Sequence, residues 1–145
     1  MEKKQKIVVL GIIENDSGQI LVSQRLDPKI PDAHLKWDVP GGTNEFGESL
    51  KDTLLREILE ETGLQVKILR LLADCVSKEW EHEEYLQHTL VFCYHCQLID
   101  GTLHLTDHKI NKLEWISPQD AKNLDLLPTT RAFIELFCTE YVPKK

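Results

Sequence analysis

Residues 41–64 read GGTNEFGESLKDTLLREILEETGL, and the later part of this stretch gathers Glu57, Glu60 and Glu61 beside Arg56. The spacing of Leu54, Leu55, Ile58 and Leu59 predicts a helix over 49–62, stopped by Gly63, since glycine adopts the left-handed conformation that ends helices. At the pitch of an α-helix the three glutamates fall within about 100° of arc, with the four aliphatic residues on the far side. The expectation is a helix pinned to a core by that apolar side and presenting carboxylates on the other. Glu48 lies just ahead of the helix, where it can fold back toward Arg56.

Like charges three and four residues apart repel, and carboxylates late in a helix also meet the negative end of its dipole. Such a cluster is either a solvated acidic face, common because glutamate is a good helix former, or a cation site. Carboxylate oxygens are the ligands that Mg²⁺ and Mn²⁺ prefer, and Mg²⁺ takes further ligands from substrate phosphates. The chemistry that follows from the second reading is metal-assisted hydrolysis of a phosphoanhydride.

Outward from this stretch, the chain of 145 residues is the length of one domain, 1–145, and 41% of it is hydrophobic, which argues against disorder. A formal net charge of -7 speaks against a nucleic-acid polymer as partner, but not against a small phosphorylated substrate bridged by a cation. The opening MEKKQKIVVLGII holds only a short apolar run, and no later stretch approaches the roughly 18 apolar residues of a membrane span. A cytoplasmic protein without membrane attachment is expected, with Cys75, Cys93, Cys96 and Cys138 reduced and buried. Cys93 and Cys96 fall in a strand-like run, LVFCYHCQLI, so their sulfurs point to opposite faces and neither a redox nor a zinc pair is expected.

The element order predicted from periodicity and turn residues is mixed. A central strand over 6–14 and its hairpin partner over 19–25 precede a proline-containing loop at 26–36. After the helix come strand-like runs at 66–74 and 75–80, an acidic turn at 81–84, and strands at 86–98 and 111–116. Ser117 and Pro118 open a short helix. A last helix follows Pro128-Thr129-Thr130, with Phe133, Leu136, Phe137 and Tyr141 at helical spacing. The order predicts an α/β layer structure without regular βαβ repetition.

Gly42, Glu48, Arg56, Glu57, Ile58, Glu60, Glu61, Gly63 and Leu64 together match the Nudix box without departure, and the chain resembles a MutT/Nudix hydrolase. The resemblance implies a Nudix α/β/α sandwich with a mixed β-sheet. It implies metal ligation by Glu57, Glu60 and Glu61, with Mg²⁺ as cofactor and Mn²⁺ as its substitute. It gives Glu48 and Arg56 supporting catalytic roles, and water activation to the Glu57/Glu60 pair. Gly42 would let the backbone approach closely.

The implied reaction is hydrolysis of a nucleoside triphosphate, an oxidised one included, to monophosphate and pyrophosphate. The alternatives are another nucleoside diphosphate-X substrate, such as a nucleotide sugar or dinucleoside polyphosphate, or a non-catalytic nucleotide-binding module. The stretch WDVPGG followed by EFGES is most similar to members acting on triphosphates, and the absence of proline over 64–91 departs from the ADP-ribose pyrophosphatases.

Candidate substrate-binding residues are Arg25, Trp37, Gly41, Gly42 and Glu84. For Trp37 and Phe46 the competing reading is a hydrophobic anchor for the Pro40 turn. Trp80 and Tyr85 bracket the acidic turn and are candidates to cover a bound base. Glu83, Glu84 and Glu114 are candidates for a further cation ligand. The active form is expected to be a monomer or homodimer.

Overall fold

The computed structural model describes residues 1–140. Its elements in chain order are β1 (Glu2–Glu14), β2 (Ile20–Arg25), β3 (Trp37–Asp38), β4 (Gly41–Thr43), α1 (Leu50–Thr62), β5 (Gln65–Leu71), β6 (Val76–Glu81), β7 (Tyr85–Asp100), β8 (Ile110–Ile116), α2 (Pro118–Ala121) and α3 (Pro128–Glu140). The strands form one sheet in the order β3-β2-β1-β7-β5, with β4 against β1, β6 against β7 and β8 against β2. β1 and β7 run parallel from Glu2↔Tyr85 to Glu14↔Gln97. The other pairings are antiparallel, so the sheet is mixed.

β1 carries the two-sided core that its sequence requires. Val9 and Ile13 pack with Leu54 and Ile58 of α1 on one face. Leu10 and Ile12 pack with Phe133, Ile134 and Phe137 of α3 on the other. Alternation along a strand sends successive side chains to opposite faces, and helices on both faces complete the α/β/α sandwich. Gly11 sets how near α1 comes: a Cβ there would stand 3.1 Å from Ile58 Cδ1 and 3.2 Å from Leu54 Cδ1. The same alternation parts Cys93, in the α3-side core, from Cys96, in the α1-side core.

The ends of α1 are set locally. Ser49 Oγ accepts the Asp52 N–H at 3.1 Å, and Gly63, at φ 76°, donates its N–H to Leu59 O. The inward line of the helix is narrower than its apolar residues suggest. Leu54 and Ile58 are buried, but Leu55 and Leu59 are 41% and 51% exposed. Contact with the sheet runs along Leu54–Ile58, which turns the neighbouring Glu57 inward instead of away from the core.

Other expectations are corrected at their edges. β1 begins at Glu2, before the apolar run, because β7 supplies a backbone ladder along its whole length. Pro128 and the threonines after it belong to α3; Tyr141 lies outside the described residues. Cys75 is exposed and Cys138 only partly covered, unlike the buried Cys93 and Cys96, and all four thiols are free. No described helix is long and apolar enough to cross a membrane.

Candidate active site

β4 lies antiparallel to β1, with Val9 opposite Gly42 and Leu10 opposite Gly41. This brings the two glycines beneath α1. A Cβ on Gly42 would sit 2.3 Å from Glu57 Cδ, so only a residue without a side chain leaves the carboxylate its place. One turn on, Glu61 accepts a hydrogen bond from the Gly41 backbone.

Arg56 ties the loop before α1 to the helix. Its Nε and Nη2 donate to Glu48 at 2.8 and 2.9 Å, and Nη1 donates to Glu57 at 3.0 Å and Glu60 at 3.4 Å. A two-point guanidinium–carboxylate contact fixes orientation as well as charge. Glu48 also accepts the Glu45 N–H and the Thr53 hydroxyl, both at 3.0 Å. The Arg56 hydrogen bonds, followed by the Glu45 N–H, lower its pKa to about 2. The expected fold-back of Glu48 on Arg56 is thus present.

Glu57 and Glu61 face a cavity of about 490 Å³, together with Gly41, Gly42, Arg25 and Asp38. Asp107, Lys6 and Lys109 line it as well. Burial raises the pKa of Glu57 against the opposing pull of Arg56. Burial pushes Glu61 up to about 8, with further contributions from the Glu57, Asp107 and Asp38 carboxylates. Burial and neighbouring like charges both disfavour the ionised carboxylate. No cationic side chain lies within ion-pair distance of Glu61 among the described residues.

The three box glutamates do not converge equally. Glu60, 60% exposed at its side chain, stays at the rim with Arg56. No three His, Cys, Asp or Glu side chains among the described residues are drawn together closely enough to hold a metal ion. The donor set still fits a hard divalent cation chemically: carboxylate oxygens presented by a rigid helix. Glu57 and Glu61 are the inward pair, and Asp107 brings a carboxylate from the segment between β7 and β8.

Arg25 reaches the cavity from β2. Its Nη2 lies 3.3 Å from Asp27 and its Nη1 3.8 Å from Asp38, while its buried Nε has no partner. Trp37 does not line the cavity. It packs on the α3-side core, and its backbone bonds Asp125 and Leu127, which is the anchoring role. Phe46 anchors nothing, because it is fully exposed.

Glu84 lies in the exposed turn between β6 and β7 and lines neither this cavity nor its neighbour. Glu114 faces a separate depression beside Leu103 and Leu105. Asp107, which the sequence reading did not name, is the carboxylate of this part of the chain that lines the cavity. Tyr85 stacks on His82 at 4.3 Å, away from the cavity.

A second hollow of about 220 Å³ continues from the first and shares Lys6, Val8, Leu10 and Asp38 with it. Trp80, Val91, Leu127 and Pro128 give it apolar walls. Asp38 stands at the junction, where its carboxylate accepts the Thr130 hydroxyl at 2.5 Å and the Val39 N–H at 2.8 Å. Burial raises its pKa despite those bonds. Asp38, Lys6 and the Asp107–Lys109 turn carry no spacing signal that sequence reading could use, since they come from three separate segments.

A three-layer sandwich with helix carboxylates set on a pair of glycines, opening into a cleft with one acidic and one apolar end, defines an enzyme acting on nucleotide pyrophosphate bonds. The family model described as NUDIX domain matches residues 4–137, and the chain belongs to the Nudix/MutT family of hydrolases. It is 33% identical to the CTP pyrophosphohydrolase of Escherichia coli over 130 residues, 90% of this chain and 89% of that protein. It is 28% identical over 138 residues to the nucleoside triphosphatase NudI of Escherichia coli, covering 92% of this chain and 96% of that one. Among solved structures, the solution structure of the E. coli ORF135 protein superposes with a TM-score of 0.71 at 32% identity, covering 94% of this chain and 90% of that chain.

Proposed function

We propose that the protein hydrolyses a nucleoside triphosphate, oxidised bases included, to the nucleoside monophosphate and pyrophosphate with the help of a divalent cation. The observation that carries this reading is the cleft: Glu57 and Glu61 on the glycine pair at one end, and the apolar hollow with Trp80 at the other. Phosphates belong at the first and a base at the second. The likeness to a CTP pyrophosphohydrolase and to a nucleoside triphosphatase supports the choice of a triphosphate.

Glu57 and Glu61, with Glu60 at the rim and Asp107 across the cavity, are the residues that would hold Mg²⁺ or Mn²⁺. Once bound, the ion lowers the pKa of water and screens phosphate charge. Glu57 lines the cavity and has a raised pKa, so within the Glu57/Glu60 pair it is the general base. The water oxygen bonds to phosphorus, its proton passes to Glu57, and the bond from phosphorus to the departing pyrophosphate oxygen breaks. Arg56 fixes the Glu57 carboxylate, and Glu48 fixes Arg56.

The test is product analysis on a panel of nucleoside triphosphates, nucleotide sugars and dinucleoside polyphosphates with Mg²⁺. Monophosphate plus pyrophosphate is expected, with Glu57→Gln lowering kcat by about 10²- to 10⁴-fold. A sugar phosphate as the main product would shift the substrate class. No turnover anywhere on the panel, with nucleotide still bound, would leave a nucleotide-binding module.

A further inference from the structure

The cavity has a basic side. Lys6 of β1 and Lys109, just before β8, line it together with Glu57, Glu61 and Asp107. Arg25 is already engaged by Asp27 and Asp38. Neither lysine ammonium has a carboxylate within ion-pair distance among the described residues. Both residues are exposed, yet both are held by their backbones. Lys6 sits in the parallel ladder opposite Thr89. The Lys109 N–H donates to Asp107 Oδ1 at 2.8 Å, and its carbonyl accepts the Leu26 N–H at 2.7 Å.

Here ammonium groups and carboxylates share one hollow without pairing, so the hollow suits a ligand needing both. A phosphate chain with its divalent cation is such a ligand, because the chain carries more negative charge than a single ion cancels. Lysine is a compact, mobile point charge suited to that remainder.

The two lysines differ in place. Lys6 lies on the junction and lines both hollows, whereas Lys109 lines only the acidic one. Resting on the triphosphate reading, with the base in the apolar hollow, we infer that Lys6 binds the phosphate next to the nucleoside and Lys109 binds the phosphates that leave.

Titration calorimetry with Mg²⁺ tests this, using α,β-methylene-CTP, CMP and inorganic tripolyphosphate as ligands. Lys6→Gln should weaken all three by about tenfold. Lys109→Gln should weaken the methylene analogue and tripolyphosphate by about tenfold while leaving CMP within about twofold of the parent. Lys6→Arg and Lys109→Arg should recover most of the loss, which a merely structural lesion would not show. Lys67→Gln, an exposed strand residue away from the cavity, should match the parent.

Unchanged tripolyphosphate affinity in both glutamine variants would overturn the assignment. So would a loss of CMP affinity in Lys109→Gln equal to the loss for the analogue. A parent that binds tripolyphosphate through these lysines but releases no monophosphate from any triphosphate would keep the lysine sites and remove the proposed hydrolysis.

Discussion

A methyl group at Gly42 would meet the Glu57 carboxyl at 2.3 Å, and β4 cannot retreat because its neighbour across the ladder is Val9 of the core strand. Gly42→Ala should therefore displace the carboxylate and leave the fold in place. Displacement of a reacting group by an ångström costs on the order of 10²-fold in rate, so steady-state kinetics should show that loss in kcat with an unchanged circular dichroism spectrum. Glu61 gives a second test. Its pKa rises from 4.5 unfolded to about 8 folded, so the native state holds the extra proton between those values. The stability this contributes is full below pH 4.5 and is lost as pH rises through 8. Glu48 runs the other way: held at about 2, it stabilises above 4.5 and fails as pH falls toward 2. A cation on Glu61 must displace the proton. Mg²⁺ binding at pH 7 should release protons, read by calorimetry in buffers of different ionisation enthalpy, and Glu61→Gln should lower the release.

At the scale of the element, α1 shows which sequence signals are self-sufficient. Gly63 closes its end through a contact within a few residues and was readable in advance, whereas Ser49, read as the first helical residue, is the cap that precedes the helix. Ser49→Ala should cost about 1 kcal/mol in urea unfolding, with turnover unchanged because Ser49 does not line the cavity. The rotation of the helix was not readable in the same way. Leu54 and Leu55 are alike in sequence, and only close packing over Gly11 selects Leu54 as the inward residue. That choice turns Glu57 toward the glycines and leaves Glu60 with Arg56 at the rim. β1 teaches the complementary point: residues 2–5 are polar and gave no strand signal, yet pairing with β7 extends the strand through them.

At the scale of the whole molecule, the sheet separates two chemically similar thiols. Cys93 and Cys96 are buried on opposite faces, and burial pushes Cys96 up to about 12, while Cys75 is exposed. A thiol reagent should therefore label Cys75 in the native protein and reach Cys93 and Cys96 only after unfolding, as counted by mass spectrometry. No disulfide should join the latter two on mild oxidation. The amino-acid sequence by itself determined the helix, its ends, the mixed α/β order and the set of carboxylates to watch, because each depends on near neighbours or on periodicity. Tertiary structure alone decided that Asp38, Asp107, Lys6 and Lys109 join Glu57 and Glu61 around one cavity. They lie on four separate stretches, β1, the end of β3, α1 and the turn before β8, and their meeting follows from strand order and the depth of helix packing, which no local spacing encodes.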